Sequence, residues 1–235
     1  MRPTRRTPHL HLNWNDPSSF LRLVQAHHLG TIRHVQKHQH LFHEGDESHS
    51  FYIIIQGIVT AYQTDASGKQ RIRRFFSKGD VVGHNTLFHE TYIASTQVIQ
   101  AGSVLVVDIP SFLASANQNP RLLMHLFQIM ETTHRNLARH MGDSYSCTHT
   151  LVIKYLLRLM HQFGEPHSEG IALSLPLTQD LLAKYAGVTR VTVTRTLQHL
   201  VQRQIVSLQP KPWIIHRSDL LQSELEASRA VPPVD

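Results

Sequence analysis

Six glycines punctuate the chain between Ile32 and Ile109 (Gly45, Gly57, Gly68, Gly79, Gly83 and Gly102), and the next does not come until Gly142. Glycine suits the tight turns that join strands. The short apolar runs between them, Phe51-Tyr52-Ile53-Ile54-Ile55, Ile58-Val59-Thr60-Ala61-Tyr62 and Val104-Leu105-Val106-Val107, therefore read as strands. Several strands at this spacing predict a β-barrel or jelly roll. Ahead of them, Phe20, Leu21, Val24 and Leu29 fall near helical spacing, predicting a short covering helix over 18–29.

The texture changes at Pro110. Leu122, Leu126, Ile129/Met130, Thr133, Leu137 and Met141 recur at steps of three and four, as one stripe of a long helix from about Asn119 to Met141. That stripe has two possible covers, its own barrel or the same helix of a second subunit. A further helix is expected over about 150–163, stopping at Gly164-Glu165-Pro166. Thr178-Gln179-Asp180 then opens another, Gly187 makes a turn, and a third runs from Thr189 to about Gln202. Ile205-Val206-Ser207-Leu208 and Trp213-Ile214-Ile215-His216 bracket Gln209-Pro210-Lys211-Pro212 as a two-stranded hairpin. Helix, helix, turn, helix, hairpin is the order of a winged helix.

With 41% hydrophobic residues the 235-residue chain can bury cores and is not disordered. Cys147 is the single cysteine, so neither an intrachain disulfide nor the four thiolates of an iron–sulfur cluster are available. No apolar run is long enough for a membrane span, and the basic start at Met1 leads into His, Asn, Trp and Asp rather than a signal-peptide core; a cytoplasmic protein is expected. Charge is uneven. Residues 31–145 carry 10 basic and 9 acidic groups, whereas 146–217 carry 8 and 3. A basic block after a near-neutral one suits a polyanionic partner, since Lys and Arg release counterions from phosphates.

The second helix of a helix-turn-helix enters the major groove. In Thr189-Arg190-Val191-Thr192-Val193-Thr194-Arg195-Thr196-Leu197, Val193, Leu197 and Leu200 share one face and can anchor the helix. Thr189, Arg190, Thr192, Thr194 and Arg195 are left outward or flanking. Arginine can donate two hydrogen bonds to guanine, and threonine can meet phosphate or a thymine methyl.

Here the sequence resembles the Crp/Fnr family (catabolite activator / fumarate-nitrate regulator) of bacterial transcription regulators, over roughly Leu21 to Arg217. Leu41-Phe42-His43-Glu44-Gly45-Asp46 with Phe51 to Gly57 looks like the start of the family's cyclic-nucleotide-binding-like β-roll, and Leu177 to Arg195 like its DNA-reading module. The run Thr189 to Arg195 is most similar to cyanobacterial nitrogen-control regulators. The resemblance implies an α+β chain. It would comprise an N-terminal arm (1–20), a β-roll sensor domain (21–117), a dimerisation helix (118–145), a winged helix-turn-helix (146–218) and a C-terminal tail (219–235). It also implies a homodimer on a palindromic operator in double-stranded DNA, with RNA polymerase as partner if the protein activates. Arg190 and Arg195 would face the major groove, Thr178, Thr189 and Thr192 the phosphates, and Lys211 the backbone from the wing, with Gln179, Val191 and Thr194 beside them. Val191 stands where the catabolite activator has a glutamate that accepts from cytosine, so the operator should differ. The dimer interface would take Leu122, Leu126, Met130, Thr133, Leu137 and Met141.

The effector pocket implied for the roll comprises Val82, Gly83, His84, Asn85, Ala94, Ser95 and Thr133. Cyclic-AMP-binding relatives clamp phosphate with a Gly-Glu and an Arg-Ser/Thr-Ala motif. Gly83-His84-Asn85 and Ile93-Ala94-Ser95-Thr96 replace them, and no arginine lies between Arg74 and Arg121. Cyclic AMP is not expected to bind, and no cofactor or resident metal is assigned. Seven histidines between His27 and His49 leave three readings open: surface residues, a metal- or haem-responsive site, and the His38-x-His40-x3-Glu44 spacing of a cupin-like metalloenzyme.

Overall fold

A computed structural model describes residues 18–87, 89–141 and 146–230, and the side chains of 136–141 and 227–230 lie outside it. Residues 1–17 of the N-terminal arm, the side chains of Leu137 and Met141 as interface residues, and the last residues of the tail fall outside that description, whereas Ser19 and Phe20 of the arm belong to a helix.

A helix α1 (Ser19–Ala26) precedes the roll, whose strands are β1 (Thr31–Val35), β2 (Ser50–Thr64), β3 (Gln70–Phe76), β4 (Val81–Val82) and β5 (Ser95–Asp108). The order is β1-β5-β2-β3, all antiparallel, with β4 paired to β2. The runs read separately as Phe51–Ile55 and Ile58–Tyr62 are one 15-residue strand, β2. Gly57 is not a turn but the centre of a bulge, with φ +95° where β2 slips register against β5. Gly102 lies across from it, and a Cβ there would run into the Gln56 carbonyl. The two glycines let the long strands cross and coil into a roll, which is the service a glycine gives inside a strand.

Asp108 caps α2 (Ile109–Gln118), accepting from the Ser111 amide at 2.9 Å. The long helix α3 (Pro120–Met141) follows directly. Leu122 and Leu126 are buried in their own chain among Phe20, Phe51 and Phe112, which corrects their assignment to a subunit interface. They are the roll-facing stripe. A second apolar stripe lies roughly 100° further round the helix: Leu123, Met124, Phe127 and Met130 are exposed, Phe127 by 73% and Met124 by 57%.

The C-terminal unit comprises α4 (Thr148–Phe163), β6 (Gly164–His167), β7 (Gly170–Leu173), α5 (Gln179–Ala186), α6 (Arg190–Gln202), β8 (Val206–Ser207), β9 (Ile214–Ile215) and α7 (Ser218–Ala230). The wing is a four-stranded sheet, β6-β7-β9-β8, because Gly164–His167 is a strand on β7 rather than a plain helix stop. Nor is 219–226 a tail. In α7, Leu221 is fully buried and the helix packs on α4, since Leu220, Leu221 and Leu225 supply an apolar face.

The two units share one apolar core. Phe75 of β3 meets Tyr185 of α5 edge-on at 5.0 Å and Phe163 of α4 at 6.1 Å, and Ile58, Tyr62, Ile72 and Ile99 of the roll join the same cluster. Gln162 Nε2 donates to the Phe75 carbonyl at 3.0 Å. Phe75→Ala is expected to cost about 3–5 kcal/mol by denaturant unfolding, as for other buried phenylalanines, and a loss below about 1 kcal/mol would show that the two units do not depend on this contact.

Candidate nucleic-acid interface

Helices α5 and α6 and the turn between them are fixed by caps. Thr178 accepts from the Leu181 amide at 3.1 Å and so opens α5. Gly187 closes it with φ +73°, its amide bonding the Ala183 carbonyl at 2.9 Å. Thr189 opens α6 by accepting from the Thr192 amide at 3.2 Å, and the two hydroxyls lie 2.9 Å apart. Thr194 donates to Gln179 Oε1 at 2.7 Å, which stitches the two helices together.

Val193, Leu197 and Leu200 are fully buried, so the opposite side of α6 is turned to solvent. Arg195 is exposed there, as is Val191, 59% exposed despite being apolar, and Arg190 is exposed as the first residue of α6. Thus Val191 and Arg195 share the outward side and Arg190 is exposed at the helix start, while Thr178, Gln179, Thr189, Thr192 and Thr194 are engaged within the motif. Lys211 is exposed in the β8–β9 connection and borders a cleft of about 540 Å³ with Lys37, Gln100 and Trp213.

The start of α6 lies beside its own roll. Thr189 and Arg190 line a cleft of about 340 Å³ with Gly68, Lys69 and Gln70 of the β2–β3 hairpin and with Asp180 and Lys184 of α5. Lys184 Nζ bonds Gln70 Oε1 at 3.2 Å and pairs with Asp180 at 3.1 Å. Nothing in the local sequence signals this docking, because it joins residues more than a hundred positions apart.

Inside the roll, Gly83 packs under the rings of Phe42 and Tyr92, which are stacked 3.7 Å apart. Val82 belongs to the same buried cluster. The Thr96 hydroxyl accepts from the Leu41 and Phe42 amides at 3.1 and 3.3 Å, and Ser95 accepts from the Glu44 amide at 3.0 Å. Those hydroxyls hold the 41–44 loop. Asn85 is exposed and Ala94 half-buried. Thr133 lies elsewhere, at Arg74, whose guanidinium donates to Thr133 Oγ1 at 3.3 Å and to Asp80 at 2.7 Å, and the charge of Arg74 is felt at buried His84. The candidate effector residues therefore divide between two places.

Two models of known families match the chain: a cyclic nucleotide-binding domain over residues 32–119 and a Crp-like helix-turn-helix domain over 152–224. Over 202 residues, 84% of this chain and 85% of the relative, it is 30% identical to the Anaerobic regulatory protein of Bacillus subtilis (strain 168). The chain belongs to the Crp/Fnr family. It is a transcription regulator with a DNA-binding helix-turn-helix, so the cupin-like metalloenzyme reading falls. The Global nitrogen regulator of Nostoc sp. is 23% identical over 197 residues, covering 77% of this chain and 83% of that one. The fold is that of FixK2 from Bradyrhizobium japonicum, with a TM-score of 0.73 at 20% identity, covering 87% of this chain and all of that one.

Two cations of this Crp/Fnr roll escaped the sequence reading. Arg74 links β3 to α3, and Arg33 of β1 lies over the Tyr52 ring at 5.3 Å with Nε and Nη2 buried and unbonded. Arg33 shares its side of β1 with buried Val35 two residues on, and that alternation was the signal that it turns inward. The histidines of 27–49 do not converge. His40 and His43 stack at 4.5 Å and His40 bonds Tyr62 at 3.1 Å, but among the described residues no third ligand joins them.

His84 donates through Nδ1 to the Val81 carbonyl at 3.2 Å, and burial, then the neighbouring Arg74, bring its pKa down to about 4. The unfolded chain then binds the extra proton between about pH 6.5 and pH 4, so stability falls on acidification through that window. A depression of this size corresponds to roughly 3 kcal/mol. The fall measured by denaturant unfolding should be smaller by about that amount in His84→Gln than in the parent; equal falls would place the imidazole in water.

Proposed function

We propose that the protein binds double-stranded DNA as a homodimer, each α6 presenting Arg190 and Arg195 to base edges in successive major grooves of a palindromic operator. The observation that carries this reading is that α6 buries Val193, Leu197 and Leu200 and leaves both arginines exposed, Arg190 at its start and Arg195 on the side away from the core. Arginine on such a face reads guanine bidentately, and exposed Val191 offers an apolar contact to a thymine methyl in place of a carboxylate to cytosine. Thr178 and Thr189, already capping their helices, present the helix starts to phosphate. Lys211 contributes a backbone contact from the wing.

Dimerisation is assigned to the exposed stripe of α3, Leu123, Met124, Phe127 and Met130, an apolar row that water alone covers in a single chain. The same helix faces its own roll with Leu122, Leu126 and Thr133, so a change inside the roll reaches the dimer axis through Arg74 and Thr133. Cyclic AMP is not the effector in this reading. The second motif's hydroxyls are engaged with the 41–44 loop, and Arg74 is neutralised by Asp80. The protein acts in the cytoplasm, where its operator lies, and meets RNA polymerase if it activates.

Arg195→Ala should cost about 1–3 kcal/mol on the operator and relax preference at one base pair, whereas Lys211→Ala should weaken all sequences alike and reduce the salt slope by about 1. Anisotropy titrations over a panel of single-base variants check both, and an unaltered preference for Arg195→Ala would remove α6 as the reading element. Phe127→Glu should convert a sedimenting dimer to monomer; a parent chain that sediments as a monomer contradicts the assigned interface.

A further inference from the structure

On the flank of the winged helix, three helices bring together ligand atoms of His149, His199 and Glu224, all within 4.8 Å of one another. They come from the first turn of α4, the third turn of α6 and the middle of α7, so no sequence spacing announces them. We propose that His149, His199 and Glu224 bind one divalent transition-metal ion of the zinc type, tying α6 to α4 and α7.

Two imidazoles and a carboxylate are a donor set that zinc accepts with water in the fourth position, whereas magnesium and calcium prefer oxygen alone. Rotations of the side chains by about an ångström bring the atoms to the roughly 3.3 Å separation that tetrahedral bonds of about 2 Å require. The site has a supporting partner. His149 Nδ1 lies 3.1 Å from the hydroxyl of Thr196, which is buried, and that bond fixes the ring. The imidazoles of His149 and His199 stand 5.9 Å apart. Arg203 pairs with the Glu224 carboxylate. Bound metal shares that carboxylate, so the guanidinium sets an upper limit on affinity rather than closing the site. His199 follows Arg195 by one turn of the same helix, and the ion would pin the C-terminal half of α6 to the rest of its unit.

The full-length protein, purified without a histidine tag and stripped of metal, is titrated with Co²⁺ and then Zn²⁺. The expected result is one Co²⁺ per chain with the visible absorption of a four-coordinate site, displaced by Zn²⁺. Zinc at a hundredfold excess over its Kd should raise the unfolding midpoint by about 5–10 °C, and Mg²⁺ should not. His199→Ala removes an exposed side chain and should abolish both signals with the apo midpoint little changed; Glu224→Gln should weaken them. The double variant His40→Ala/His43→Ala, which alters the N-terminal histidines, should retain them. Identical titrations for the parent and His199→Ala, loss of the signal only in the His40/His43 variant, or no Co²⁺ spectrum at all would each overturn the proposal.

Discussion

Phe75 inserted between Phe163 and Tyr185 makes the roll and the DNA-reading unit one packed body rather than two beads on a helix. The contact is apolar and largely dehydrated, and close-packed interiors of this kind move between discrete arrangements rather than deforming smoothly. Around it lie the polar fastenings, Lys184 to Gln70 and Gln162 to the Phe75 carbonyl. The start of α6 is consequently held beside the β2–β3 hairpin, and any reorientation of the two heads of a dimer must carry the hairpin along or break this seam.

The recognition element was legible because its physics is local. Thr189 as cap, Gly187 as turn and Val193, Leu197 and Leu200 at helical spacing each declare themselves within a few residues. The roll was legible as a class, since glycine-punctuated β-branched and aromatic runs have few other solutions. Its details were not. Gly57 and Gly102 look like turn residues on their own, and only their apposition across β2 and β5 reveals a bulge within continuous strands. The same holds for α7, where Leu220, Leu221 and Leu225 became a buried face only against α4.

The long helix illustrates a further limit. Its periodicity is real, yet α3 carries two apolar stripes, and sequence alone does not say which one the roll takes. Packing settles it: Leu122 and Leu126 go inward with Phe20, Phe51 and Phe112, and Phe127 goes outward. The effector residues fared likewise, because alternation with Val35 turns Arg33 inward and Arg74 is half-buried against Asp80 and Thr133, while the motif spacing points to Ser95 and Thr96, whose hydroxyls hold a loop.

The claim that joins these parts is that two α6 helices read one duplex together. Selection of bound sequences from a random DNA pool tests it most directly. The account predicts enrichment of an inverted repeat whose half-site centres lie about 10 base pairs apart, one helical turn. Recovery of a single unrepeated half-site, or of no sequence above background, would contradict it.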